Sequence, residues 1–250
     1  MNLLDIRNLS IELVSENQNI LAVDKVSLSM KEGEVRGLVG ESGSGKSLLA
    51  QAIVGVLDDK WHVHADRFHW RGIDLLRLTI EERKALLSRD IAMIFQEPMA
   101  CLDPTTTIGE QLSEAIDAST LSGFFWQKQQ QRHSAAIKLL HKVGIKSHST
   151  CLNSYPHQLT EALCQRVMIA IALARRPILL IADEPTAAME NTNQGQIFRL
   201  LASLNQLKSM SILLISHDLE NITHWTHNIT VMYSGQFVEA GTTEQIFKKP

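Results

Sequence analysis

The chain has 250 residues, a formal net charge of −3, and 20% charged against 44% hydrophobic residues. It is long enough to bury one large core, or one core with an embedded subdomain, and its acidic balance excludes a global basic field that would recruit nucleic acid or an anionic membrane. No apolar run approaches the roughly 20 residues that span a bilayer, and the N-terminus shows no basic segment followed by an apolar stretch. Cys101, Cys151 and Cys164 are widely spaced, without C-x-x-C or a His at ligand spacing, which reads as plain thiols in a reducing compartment.

Alternating apolar residues in Leu9–Leu13 and Ala22–Ser29 predict half-buried strands of a small antiparallel layer. Val35–Val39 is an apolar run that reads as a buried strand. It leads directly into Gly40, Glu41, Ser42, Gly43, Ser44, Gly45, Lys46 and Ser47, a match to G-x-x-x-x-G-K-[ST], and a helix over Lys46–Val56 follows. Glycines let such a loop turn successive N–H groups toward phosphate oxygens, and the helix N-terminus adds its positive dipole end. Lys46 then reaches the terminal phosphates and Ser47 is a Mg²⁺ ligand. A plain glycine turn before a helix is the alternative.

A polar stretch rich in His and Trp comes next, then a helix over Leu75–Ser88 and a strand over Asp90–Phe95 that ends at Gln96. Pro98 and Pro104 punctuate a loop, and helical patterns at Ile108–Asp117 and Gln127–Val143 make residues 98–156 a helical insertion. Phe124-Phe125-Trp126 concentrates aromatic residues before the second of these helices. Core packing at the helix start is the expected role, and a docking patch is the alternative.

Strands return at Ile178–Ala182, Ser211–Ile215, Ile229–Tyr233 and Gln236–Glu239, separated by helices, the alternation of a parallel sheet covered on both faces. Ile178–Ala182 runs into Asp183 and Glu184, which places two carboxylates at the carboxyl edge of the sheet, where ligands of open α/β sheets bind. Asp183 suits Mg²⁺ and Glu184 suits orienting and deprotonating a water. Ser211–Ile215 runs through Ser216 to His217. Taken singly, a strand-end Gln, a pair of acids or a strand-end His is equally a solvated or hydrogen-bonded terminus.

The joint order decides between these readings: phosphate loop, strand-end Gln96, strand-end Asp183-Glu184, strand-end His217. In that order the chain resembles the ATP-binding cassette (ABC) transporter ATPases over essentially its whole length. Met93-Ile94-Phe95-Gln96-Glu97-Pro98, Leu102-Asp103-Pro104 and Ile108-Gly109-Glu110-Gln111 are similar to the oligopeptide and dipeptide transporter branch. Leu4–Leu9, Cys101–Pro104 and Leu159-Thr160-Glu161 point within it to antimicrobial-peptide-sensitivity transporters.

The resemblance implies an α/β P-loop NTPase: an ABC-type nucleotide-binding domain with a RecA-like core at 1–97 and 157–250, an N-terminal antiparallel β layer and the helical insertion. It also implies ATP and Mg²⁺ bound by residues 40–47, with Ser47, Gln96 and Asp183 toward the metal and Glu184, His217 and Gln96 around the attacking water. Further implied are two membrane permease subunits that dock near Gln96–Asp117, a head-to-tail pair of ATPase chains, an indirect periplasmic peptide-binding protein, a place on the cytoplasmic face of the inner membrane, and no nucleic acid. The alternatives are a soluble cassette ATPase that acts on nucleic acid or a protein complex, and a nucleotide-gated regulator of another membrane protein.

The chain departs from the family where the signature Leu-Ser-Gly-Gly-Gln aligns with Leu159, Thr160, Glu161, Ala162 and Leu163. Glu161 puts an anion where the family presents a glycine N–H to the partner chain's γ-phosphate. At an effective dielectric near 20 such a contact at about 4 Å opposes binding by on the order of 4 kcal/mol before screening. The alternative is that Glu161 faces solvent and the backbone still binds. The intact Lys46 half beside a degraded signature predicts a second, different ABC ATPase as the partner. Ala187-Ala188-Met189-Glu190 replaces the usual Ser-Ala-Leu-Asp, and no aromatic precedes Trp61 to stack on adenine, so Ile20 or Val23 is expected to pack on the base. The chain stops at Pro250, where many peptide-transporter ATPases continue into a tail; truncation and a short natural form are both open.

Overall fold

The computed structural model describes residues 2–14, 19–186 and 191–248. In chain order its elements are β1 (Asn2–Leu13), β2 (Ile20–Lys31), β3 (Val35–Val39), α1 (Lys46–Val54), β4 (Trp61–His64), β5 (Arg67–Trp70), β6 (Ile73–Asp74), α2 (Ile80–Asp90) and β7 (Ile91–Ile94). Five helices follow: α3 (Pro98–Cys101), α4 (Ile108–Ala115), α5 (Phe125–Lys142), α6 (His148–Leu152) and α7 (Glu161–Ala174). The chain ends with β8 (Leu179–Asp183), α8 (Asn191–Lys208), β9 (Ser211–Ser216), α9 (Leu219–Thr223), β10 (Asn228–Tyr233), β11 (Gln236–Thr242) and α10 (Thr243–Lys248). Two compact units result, Met1–Ile91 with Ile178–Glu184 and Leu201–Pro250, and Ala92–Pro177 with Pro185–Leu200.

In the first unit β1 pairs antiparallel with β2, β4 and β5. Its first half, Leu4 and Ile6, lies opposite Trp70 and Phe68 of β5 and opposite Met30 and Leu28 of β2, all buried. A bulge interrupts the ladder where Asn8 and Lys25 take left-handed φ of 49° and 48° and the register shifts between Ile6 and Leu9. Their N–H groups, turned out of the ladder, donate to Ser27 Oγ and Ser10 Oγ at 3.0 Å. The bulge re-phases the alternation, so a strict period of two catches only the half of β1 after it. β4 and β5 likewise stand where the sequence shows only a polar stretch.

The second sheet of this unit runs β11-β10-β3-β9-β8, with parallel pairing from β10 to β8 and β11 antiparallel at the edge. Leu179–Ala182 and Ile212–Ile215 are all buried, the near-continuous apolar strands of a parallel sheet covered on both faces. The expected helix over Leu75–Ser88 is broken: Leu75–Arg77 forms a single 3₁₀ turn, and α2 starts afresh at a capping box in which Thr79 and Glu82 satisfy each other's backbone N–H groups.

In the second unit α7 buries Cys164, Val167, Met168, Ile169, Ala170 and Leu173. It packs against α3, α4 and α5, so the compact unit takes in helix beyond residue 156. Phe124, Phe125 and Trp126 are 74%, 81% and 74% exposed, which overturns their expected role in core packing. The core contacts of α5 come instead from its later turns, Ala136, Leu139 and Leu140. Cys101 is exposed, and Cys151 and Cys164 are buried, free thiols.

Trp70 is fully buried, and its Nε1 donates to Asp90 Oδ2 at 3.0 Å. Burial alone would raise the Asp90 carboxyl, but the hydrogen bonds from Arg89 and Trp70 outweigh it and hold the group below the usual carboxylate range. Trp70→Phe removes one donor from a buried carboxylate and should cost about 1–3 kcal/mol in urea unfolding at neutral pH. Because the folded value is depressed, the stabilisation is present above the unfolded value and is lost as pH falls through the folded one. The difference between wild type and Trp70→Phe should therefore shrink in acid below about pH 4.

Candidate functional site

β3 delivers the loop Gly40–Gly45 to the N-terminus of α1, and sterics explain its glycines. A Cβ on Gly40 would lie 2.0 Å from the backbone O of Met232 in β10. Gly45, at φ +103°, would drive one into Met232 Cε and Ala22 O at 2.9 and 3.0 Å. Gly43, at φ +80°, has nothing within 4 Å of a Cβ, so the crest of the loop faces open space. The β10–β11 turn supports the loop from beneath: Gly235 N–H donates to Ser44 O at 3.0 Å, and Asp24 N–H donates to Gly235 O at 2.8 Å. The sequence shows Ser234-Gly235 as a turn but carries no signal that it holds the phosphate loop.

Lys46 is 5% exposed, and its Nζ donates to Gly40 O at 2.7 Å and Glu41 O at 2.8 Å, with Ser44 Oγ at 3.4 Å. Burial pushes its ammonium below the ordinary lysine value, although the charges of Glu184 and Asp183 act to raise it. Asp183, 6% exposed at the end of β8, is pushed above the usual carboxylate range, first by burial and then by the Glu184 charge, against a hydrogen bond from Ser47 and the charge of Lys46. The two shifts agree that desolvation exceeds the attraction between the pair.

Strand register sets the remainder. β8 pairs Asp183 with Ile215 of β9, and β3 pairs Val39 with Ser216. Glu184, one residue past β8, takes φ +46°, a left-handed conformation costing a non-glycine residue roughly 1–2 kcal/mol, and its N–H is held by Ile215 O at 3.0 Å. Its Oε2 lies 3.0 Å from His217 Nδ1, with the Glu184 side chain 12% and the His217 side chain 58% exposed. A carboxylate opposite Nδ1 places the ring proton there and leaves Nε2 as an acceptor. Lys46, Ser47, Asp183, Glu184 and His217 thus share one edge of the first unit.

The remaining expected residues lie in the second unit. Gln96 follows β7 and is exposed. Thr160 caps α7, its Oγ1 accepting from Leu163 N–H at 3.4 Å; Glu161 is exposed in the first turn, and Ala162 and Leu163 are half-buried. Ala187–Glu190 lie outside the described residues. Val23 is fully buried, with Cγ2 3.1 Å from a Gly45 Cβ position, and has no face to offer a base; Ile20 is 47% exposed.

The donor set fits a magnesium–nucleotide complex. The described residues contain no cluster of three His, Cys, Asp or Glu for a dedicated metal cage. Mg²⁺ takes few protein ligands, typically one or two carboxylates together with substrate phosphates and water, and Ser47 with Asp183 supplies that kind of set. No helix among the described residues is long and apolar enough to cross a membrane.

A family profile described as ABC transporter matches residues 23–187. The chain is 54% identical over its 250 residues to the peptide transport system ATP-binding proteins SapD of Escherichia coli O157:H7 and Salmonella typhimurium LT2, and spans 76% of each. It is 45% identical over the same length to the dipeptide transport ATP-binding protein DppD of Escherichia coli K12, spanning 75% of it. Among solved structures, the dimeric ATP-binding cassette MJ0796 bound to ADP and Pi superposes with a TM-score of 0.80 at 25% identity, covering 96% of this chain and 98% of that one. The cbiO1 subunit from Clostridium perfringens gives 0.80 at 22% identity, over 99% and 91%.

Two substitutions separate loop geometry from site charge. Gly40→Ala forces β10 backbone to move and should weaken binding of a fluorescent ATP analogue by roughly tenfold or more, about 1.4 kcal/mol. Asp183→Asn should raise the thermal midpoint of the ligand-free protein while abolishing turnover. A raised folded value means that wild-type stability declines as pH rises from the ordinary carboxylate value of 3.8 through the folded one, so the Asn advantage should open across that window and persist at neutral pH.

Proposed function

Because the chain belongs to the ABC transporter family, we propose that it hydrolyses ATP at the edge built by Lys46, Ser47, Asp183, Glu184 and His217 to drive peptide transport through membrane partners. The observation that carries the chemistry is the Glu184–His217 pair at 3.0 Å beside a glycine loop containing a buried lysine. The cargo class rests on relatives named for peptide and dipeptide transport at 54% and 45% identity over the full chain.

Loop N–H groups of residues 40–47 and Lys46 bind the nucleotide phosphates, and Lys46 exchanges its loop carbonyls for phosphate oxygens. Ser47 and Asp183 would hold Mg²⁺, which would neutralise phosphate charge. Glu184 orients and deprotonates the attacking water, and His217, its Nδ1–H fixed by Glu184, accepts an O–H of that water at Nε2 and so positions it. The left-handed backbone of Glu184 aims the carboxylate at a stability cost.

Two permease subunits that dock on residues 96–117 hold the chain at the cytoplasmic face of the inner membrane, and a periplasmic peptide-binding protein acts with them. The helix start at Thr160 supports a second, different ABC ATPase as the other half of the dimer. Its hydroxyl is engaged in capping, and Glu161 presents an anion where a partner's γ-phosphate would approach.

Lys46→Ala should abolish turnover and weaken nucleotide binding. Glu184→Gln should retain ATP binding and slow hydrolysis by about a hundredfold or more; collapsed affinity with surviving turnover would assign the base elsewhere. In a mixed pair with the second ATPase, Glu184→Gln here should stop most hydrolysis, and the equivalent change in the partner should stop little. Equal losses, or vigorous activity from this chain alone, would refute the asymmetry.

A further inference from the structure

A loop that offers N–H groups to an anion has to turn its carbonyls the other way, and those carbonyls need donors of their own. In the loop Gly40–Gly45, Gly40 O and Glu41 O accept from Lys46 Nζ at 2.7 and 2.8 Å. Ser44 O accepts from Gly235 N–H at 3.0 Å, a donor that lies outside the loop, in the turn between β10 and β11. Ser44 is 4% exposed and Gly235 is buried, so water does not compete for this bond. In a planar trans peptide the C=O and the following N–H point in opposite directions. Fixing Ser44 O on Gly235 therefore also fixes the N–H of Gly45, which points away from the turn.

The turn is itself built to hold that position. Tyr233 pairs with Gln236, leaving a two-residue connection in which Ser234 and Gly235 both take left-handed φ, 46° and 82°, the arrangement that matches the twist of a hairpin. Ser234 bears the steric cost that a Cβ meets in this region. Gly235 is bonded on both backbone groups, since its carbonyl accepts from Asp24 N–H of β2 at 2.8 Å. The Asp24 side chain closes the contact by accepting from Gln236 Nε2 at 2.7 Å. Little room is left for adjustment: a Cβ on Gly235 would lie 2.7 Å from Ala22 O, and one on Gly45 would lie 3.0 Å from the same oxygen. β2, the turn and the phosphate loop thus meet backbone to backbone.

We propose that Gly235 is a positioning residue of the phosphate loop, its N–H aiming the Ser44–Gly45 peptide at the nucleotide phosphates, and that Asp24 and Gln236 hold it in place. The inference rests on the nucleotide-binding reading above and gives the loop two different supports. The carbonyls of Gly40 and Glu41 give up Lys46 when its ammonium moves to phosphate, whereas Ser44 O keeps its donor in the free and the loaded chain. Gly235 therefore preorganises the part of the loop that the ligand does not rearrange, and its contribution goes to affinity. Loop N–H groups act on the phosphates that ATP and ADP share, so both nucleotides depend on the turn alike, unlike Lys46, which reaches toward the terminal phosphate.

The test is anisotropy of the full chain with fluorescent ATP and ADP analogues, combined with the amide spectrum of the ligand-free protein labelled with ¹⁵N-glycine. Gly235→Ala should weaken both nucleotides by the same factor, about tenfold or more, and Gln236→Leu, which leaves the hairpin backbone intact, by about threefold. Gln236→Leu carries the test if Gly235→Ala does not fold. Asp24→Asn keeps an acceptor for Gln236 and should retain wild-type affinity. In the free protein the Gly45 amide signal should move in Gly235→Ala and Gln236→Leu while those of Gly33 and Gly55 stay in place, a change that a general loss of stability would not confine to the loop. Wild-type affinity in Gln236→Leu, an unmoved Gly45 signal, or a loss confined to ATP would each overturn the proposal. Failure of the wild-type chain to bind either analogue would refute the nucleotide-binding reading and the proposal with it.

Discussion

Parallel pairing of β3, β9 and β8 is the constraint from which the site follows. With Val39 opposite Ser216 and Asp183 opposite Ile215, the three strands end at a common edge. The phosphate loop, the two acids and His217 leave the sheet at that edge although they are far apart in sequence. A slip of one residue in either pairing would carry every side chain of a strand to the other face and part Glu184 from His217. The apolar runs that bury these strands on both faces keep that register unique, so core packing is also what aims the polar residues.

The same edge concentrates charge that the chain by itself holds at a cost. Lys46 and Asp183 are both nearly inaccessible, and burial opposes the charged form of each more than their mutual attraction favours it. Glu184 adds a backbone conformation rarely adopted by residues with a Cβ. In the proposed function a phosphate chain with its cation would supply an anion for the lysine and a cation for the aspartate. Perturbed ionisation and strain gathered at one place are the marks of a site built for a ligand rather than for stability.

Helix quality and ligand competence separate at the start of α7. Thr160 is a sound N-cap, and Glu161 in the first turn favours the helix dipole, so this terminus is well made as a helix. The same carboxylate is the ground on which we propose that this terminus is a poor anion site. α5 shows the opposite combination at its start: Phe125 and Trp126 are exposed, and among the described residues no carboxylate pairs with Lys128, features that add nothing to the helix by itself.

Taken alone, the sequence determined the phosphate loop, the order of strand-end residues and the family. These signals are local: a fixed spacing of glycines around Lys46, and apolar runs that end in Gln96, Asp183-Glu184 and His217. It also showed that Thr160–Leu163 departs from the family pattern, because that comparison needs only residue identity. Only the tertiary structure decided which backbone the glycines must clear, since Met232 O and Gly235 come from a distant hairpin. It likewise decided that Val23 is inside and that the Phe124-Phe125-Trp126 rings are outside, since burial depends on which neighbours arrive to cover a face. The bulge at Asn8 and Lys25 belongs to the same class: it shifts the alternation of β1 by pairing with β2, and no window along one strand contains its partner.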